Sequence, residues 1–300
     1  MRRPSASVVL LLSALPALAA TGEVPAGWSF PPDQVRFYVY TLNQDTTFAS
    51  AGDTLKYTSS FTWKLGMSGQ PAAAERAKVN VTGIRIQASH RGPDRTVEID
   101  SSRAPGERGE QDPLLGGLLA LHGVTLTLDL DPRTGQVAGV SGGEAIVANV
   151  NRLVPAAFPG EPPPLDAAAR QTYSAEALAR WWTQALARPP ADGKPQTIAL
   201  GAGPTALIEG SAERRWTGLA WTAALPAGTA HLPVRLSPDP NPVEGKLHGL
   251  SGEGRIESAA DGWPDLIEGR LTFTLTLTAL TQPVEQKNEI RWRLKQVQVK

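Results

Sequence analysis

The sequence predicts a mainly β protein: a large curved antiparallel sheet or incomplete barrel, with a helical segment in the middle of the chain. Three observations predict it. Long stretches alternate apolar and polar residues with a period of two, as half-buried strands do. Turn chemistry separates these stretches, so neighbouring strands are joined as hairpins rather than by the helical crossovers of parallel sheets. Helical periodicity is confined to a middle segment, residues 143–190.

Residues 1–19 have the pattern of an export signal. Arg2 and Arg3 give a positive start, Ala6 to Leu18 is an apolar run, and Ala17-Leu18-Ala19 offers a small-x-small cleavage site. The run is shorter than the ~20 apolar residues a membrane span needs. No later stretch reaches that length, so a cleaved, exported chain without a transmembrane span is expected, in the periplasm, cell envelope or extracellular space. Residues 20–34 follow as an extended linker: "TGEVPAGWSFPPDQ" (21–34) is proline-rich and has no period.

The remainder, 35–300, is expected to be a single mainly β domain: strand block 35–141, helical segment 143–190, strand block 195–300. Val35–Leu42 is β-branched and aromatic, and Leu55, Tyr57, Ser59, Phe61, Trp63 and Leu65 share one face. Val79 and Val81 are one position out of phase with Ile84, Ile86 and Ala88, which predicts a bulge at Gly83. Val97 and Ile99 mark a short strand, and residues 102–117 a mobile Gly/Pro-rich loop. Val124 to Leu130, "DPRTG" (131–135) and Gln136 to Val140 form a hairpin. Helices are expected over Glu144–Leu153 and from an N-cap at Ser174 to the stop at Pro189-Pro190. Trp216–Leu225, His231–Leu236, Leu271–Ala279 and Ile290–Val299 return as strands. Whether the two strand blocks are a duplication stays open, since no shared motif links them.

Composition excludes several functions. Lys and Arg total 29 against 29 Asp and Glu, so no basic excess recruits nucleic acid. Cysteine is absent, which rules out disulfides and a lipid-modified cysteine anchor. A chain of 300 residues buries roughly three-quarters of its unfolded surface and needs no such staple.

Gly139, Ser141 and Gly143 match the Gly-x-Ser-x-Gly pattern of a nucleophile elbow. That device requires a parallel strand before the serine, whereas the strand here is the return arm of the "DPRTG" hairpin. Asp239 and His248 supply partners in the right order but in no recognisable context, so no catalytic residue and no enzyme is predicted. His90, His122, His231 and His248 lie too far apart in sequence for a local zinc pattern. Asp129, Asp131 and Gly135 resemble a calcium loop spoiled by Pro132 and Arg133, and "GLSGEG" (249–254) lacks the lysine of a phosphate loop. No metal or cofactor is expected.

The remaining candidate is a helix face. Leu178, Trp181, Trp182 and Ala185 recur at helical spacing. Either this face closes the core against a concave sheet, or the two enclose a cavity for an apolar ligand, which these four residues would line.

The layout of signal, long antiparallel strands, helical middle and further strands resembles uncharacterised exported bacterial proteins classed as domains of unknown function. In outline it is similar to periplasmic lipoprotein-carrier-like half-barrels, from which it departs in length and in placing its helices between two strand blocks. The resemblance implies a lipid or acyl-chain ligand. The alternative is an envelope structural or adaptor protein that meets protein partners through sheet edges and loops.

Overall fold

Alternating side chains build the strands, and the turns between them set their order. The computed structural model describes residues 27–298, apart from 33, 51, 72–74, 113–114, 157, 159, 201–207, 210, 237–242 and 278–282. The predicted export signal and residues 20–26 lie outside this set. In chain order the strands are β1 (Val35–Ser50), β2 (Asp53–Gln70), β3 (Ala77–Arg91), β4 (Thr96–Asp100), β5 (Thr125–Leu130) and β6 (Val137–Ser141). Three helices follow, α1 (Gly143–Leu153), α2 (Asp166–Thr172) and α3 (Ala175–Leu186). The chain then forms β7 (Gln196–Ala199), β8 (Ile208–Glu209), β9 (Ser211–Thr217), β10 (Ala220–Ala224), β11 (Leu232–Leu236), β12 (Val243–Ser258), β13 (Pro264–Leu277) and β14 (Val284–Val297).

All these strands join one antiparallel sheet, along the path β6-β5-β3-β2-β1-β14-β13-β12-β10-β9-β7. The fold class expected from the sequence is the one found, and the sheet is not closed. Its centre is a long seam between β1 and β14, from Phe37 opposite Val297 to Ala49 opposite Glu285. One face is apolar: Tyr38, Tyr40 and Leu42 of β1 lie beside Leu65, Trp63 and Phe61 of β2 and Gln296, Leu294 and Trp292 of β14. The outer face of β12–β14 is a lattice of ion pairs: across strands, Arg255 and Arg293 meet Glu268 and Arg270 meets Glu289, and within β14 Arg291 also meets Glu289. Such exposed pairs add little stability each. They keep that face hydrated and fix register.

The bulge predicted at Gly83 is present. The ladder between β2 and β3 slips where Lys64 and Leu65 oppose Arg85 and Gly83. Ile84 is the extra residue, so it turns outward and is 45% exposed, while Val79, Val81, Ile86 and Ala88 all face the core. From Gly27 onward the lead-in packs on the domain. Trp28 and Phe30 are buried, and Trp28 donates its indole N–H to Leu186 O at 2.8 Å. Within 102–117, Arg95 pairs with Asp112, and a 3-10 turn over Gly116–Leu121 plugs Leu118, Leu119 and Leu121 into the core.

Three elements differ from expectation. Trp216–Leu225 is a hairpin, not one strand, because Gly218 turns the chain at φ +61°. Helix α2 has too short a repeat to announce itself. Strand β12 includes the "GLSGEG" stretch, whose glycines suggest a loop but serve packing. Trp221 and Trp292 stack at 5.7 Å over Gly254 and Gly269, where any Cβ would land on the indole rings.

Helix α3 seats the other aromatic cluster. Trp181 stacks on Trp63 at 5.5 Å and on Trp182 at 5.6 Å, and Tyr40 meets Trp181 edge-on. Ser174 caps the helix, accepting from Ala177 N at 3.2 Å.

Trp182→Ala is expected to cost about 3–5 kcal/mol, because the cavity cannot collapse against a stiff sheet; chemical denaturation measures it. Gly269→Ala is expected to cost about 1–3 kcal/mol by forcing Trp221 and Trp292 apart, and near-ultraviolet circular dichroism will show the pair disturbed. Asp100 accepts from Arg85, Gln87 and Ser102, which hold its carboxyl well below the usual range. Its folded pKa is depressed, so its contribution is complete above the unfolded value of ~4 and is lost as pH falls below it. Asp100→Asn therefore lowers Tm at pH 7, by about 1–3 kcal/mol in stability, and the difference from the parent shrinks in melts taken toward pH 3.

Candidate functional site

A sheet that curls without closing must protect two raw edges. Here helix α3 stands between them. It packs on β6 at one edge and on β7 at the other, and it reaches β13 across the interior. The β6 edge donates Val137 N–H to Thr183 Oγ1 of the helix at 3.0 Å. Near the β7 edge, Gln196 donates to Arg188 O at 3.0 Å and accepts from the Trp216 indole at 2.7 Å.

The end of α3 is locked to the "DPRTG" turn. Arg188 N donates to Thr134 O at 2.9 Å, and Trp28 N to Pro132 O at 2.8 Å. Asp131 Oδ1 accepts from Arg133 N at 2.8 Å, so its oxygen serves the turn. Gly135 adopts φ +74°, and a Cβ there would strike Leu186 O. The glycine thus serves both the turn and the close approach of the helix.

At 100° per residue, α3 carries two opposed faces. Leu178, Trp181, Trp182 and Ala185 lie together on one, each at most 3% exposed. The structure brings these four sequence candidates together inside the packed aromatic core. Glu176, Ala179, Arg180 and Thr183 lie on the other face, where they border a cleft of about 1150 Å³. Val137 and Ala138 of β6 form one bank, and Thr197, Ile198 and Arg214 of the β7–β9 edge form the other. The cleft is partly open to solvent.

Its chemistry is uneven. Alanines, Val137, Ile198 and Pro190 make its walls apolar. Arg180 and Glu176 pair with each other at 2.6 Å on the exposed rim. Arg214, by contrast, is 2% exposed, and its Nε and one terminal nitrogen have no hydrogen-bond partner. Its guanidinium lies 4.6 Å from the centroid of Trp221 and 5.6 Å from that of Trp216. Burial pushes its pKa down to about 9, which leaves it charged at neutral pH. Gln184 Oε1, on the helix bank, is buried without a donor.

Sequence reasoning passed over Arg214 because "AERRW" (212–216) has the look of a solvated charge cluster. Strand alternation held the signal: Ala212, Arg214 and Trp216 share a face, so one of the two arginines had to point inward. Other sequence motifs take structural roles. Ser141 ends β6 opposite Thr127, exposed, and no hydrogen bond among the described residues joins it to a histidine or acid. Asp239 lies outside the described residues, and His248 pairs with Thr276 Oγ1 at 2.9 Å. His90 lies 2.8 Å from Ser59 Oγ through Nδ1 and stacks on Tyr57. Among the described residues no three His, Asp or Glu side chains gather as a metal ligand set, and no helix is long and apolar enough to cross a membrane.

No family model matches the chain, and no curated protein matches it in sequence. A structure of lipovitellin, described for its lipid–protein interactions, aligns over 91% of this chain with 12% identity and a TM-score of 0.43; the chain spans only 26% of that one. DynF, from the dynemicin biosynthesis pathway of Micromonospora chersina, aligns over 98% of this chain and 92% of its own, with 13% identity and a TM-score of 0.22. An outer membrane channel from Pseudomonas putida F1 aligns over 91% and 98%, with 8% identity and a TM-score of 0.20. All three TM-scores lie below 0.5, so none of these likenesses assigns the chain a family or a function.

Proposed function

We propose that this chain is a non-catalytic exported protein that binds an apolar or lipid-like ligand in the cleft between α3 and the two edges of the curled sheet. The observation that carries the reading is the cleft itself, about 1150 Å³ with apolar walls, held open because α3 props the edges apart. Ligand sites in general are concave, mostly apolar and furnished with a few placed polar groups. The ligand-facing residues in this reading are Val137, Ala138, Ala179 and Ile198. Leu178, Trp181, Trp182 and Ala185 support them from behind by fixing the helix.

The outer face favours a binding protein over a membrane barrel. Its ion-pair lattice across β12–β14 occupies the place where a lipid-facing barrel carries an apolar band. The rival reading, an adaptor that meets a protein partner, draws on the β6 and β7 edges that flank the same cleft.

Native mass spectrometry separates the two. The protein is expressed from the full 300-residue sequence in a bacterium and purified without detergent. A discrete added mass in the range of a lipid, lost on denaturation, is the expected result. Ala138→Trp, an exposed strand position on the cleft bank, is expected to abolish that mass and leave Tm within about 2 °C. A bare protein mass, or a bound polypeptide, overturns the reading.

A further inference from the structure

The cleft contains one group that its apolar character does not explain. Arg214 sits on the inner face of β9, between Gln196 of β7 and Ala223 of β10. A buried guanidinium is tolerated when a carboxylate or a set of carbonyls receives its five N–H groups. Arg214 has neither: no hydrogen bond or ion pair joins its guanidinium to any described residue, and only the faces of Trp216 and Trp221 attend its charge. Those rings account for its position but accept no hydrogen bond in the plane of the guanidinium.

The neighbouring acids do not answer it. Glu176, the only acid among the described residues lining the cleft, is 84% exposed and paired with Arg180. Glu213, next in sequence, lies on the opposite face of the strand and pairs with Arg215. The cleft is therefore apolar along its walls and cationic at one buried point.

We infer that Arg214 receives the acidic head of the bound molecule, so that the ligand is an anionic amphiphile: a carboxylate or phosphate on an apolar chain. The guanidinium fork matches both heads in bidentate geometry. The chain of the ligand lies along Val137, Ala179 and Ile198, and its head turns inward to Arg214. The inference rests on the ligand-binding reading above and specifies its ligand class.

The test is isothermal titration calorimetry on the delipidated full-length protein with dodecanoate, dodecyl phosphate and dodecanol, each below its micelle concentration. At least one anion is expected to bind about ten-fold or more tightly than the alcohol; which of them binds better identifies the head group. Arg214→Met is expected to erase that preference by weakening the anions while leaving dodecanol within about two-fold. It is also expected to melt no lower than the parent, because it removes a buried cation that the protein itself leaves unpaired. A residue kept for structure would show the opposite, a loss of Tm. Equal binding of all three ligands overturns the assignment of Arg214 and leaves the apolar-ligand reading standing. Binding of none of them overturns both. Should Arg214→Met fail to fold, the comparison of head groups on the parent protein still decides.

Discussion

The contact on which the rest of the molecule depends is the cluster in which Trp181 stacks on both Trp63 and Trp182. It fastens helix α3 to the second strand of the sheet and, with Tyr40 closing it edge-on, to the strand beside it. Once the helix is fixed there, its far side must face the two edges of the sheet. Thr183 then satisfies β6, Arg188 holds the 131–135 turn, and Leu186 accepts from Trp28 of the lead-in. A helix that props a barrel open creates a cleft as a geometric by-product. The aromatic side of α3 supplies rigidity, and its alanine-rich side supplies the room.

Wherever one face of a strand is apolar and the other polar, the fold was legible in the amino-acid order. Phe61 to Leu65, Leu126 to Leu130 and Leu271 to Leu277 state their own pleat, and Val79 to Ala88 discloses even its bulge; Leu55, in the same phase as Phe61, is 46% exposed at the far end of β2. Legibility failed where a strand gives its inner face to glycine. Gly252 and Gly254 stay glycine because Leu271, Ala223 and Trp221 fill the space a side chain would take, and that need is set by neighbouring strands rather than by the local sequence. The candidate site was half legible. Periodicity found the aromatic face of α3 but could not tell a packed face from a lining one. That difference is made by Trp63, which fills the space opposite. The cleft itself lies between β6 and β7, segments over fifty residues apart, and no local pattern announces that two edges will converge on one helix.

Among the described residues several buried polar atoms lack a hydrogen-bond partner, indole N–H groups of the aromatic core among them, but Arg214 is a buried charge and Gln184 Oε1 a buried acceptor without a donor. Natural chains are locally consistent almost everywhere, and departures from consistency concentrate where a function is served. Both departures border the same cleft. In the proposed reading, stability and ligand chemistry pull in opposite directions at that point.

The central seam joins β1 to β14 along most of their length. Its partners stand 236 to 260 residues apart in the chain, so the middle of the sheet waits on β14. Until β14 is made, β1 has only one paired neighbour, and among the described residues the second half meets the first through α3 and through contacts of the lead-in and β1 with residues 261–264, such as the Tyr38 hydroxyl donating to Pro264 O at 2.9 Å. Pairings of such sequence separation form late and slowly, because loop closure must precede any gain from contact. The fold is thus closed like a clasp at its centre rather than zipped from one end. The two halves become one sheet only when β14 pairs with β1 on one side and β13 on the other.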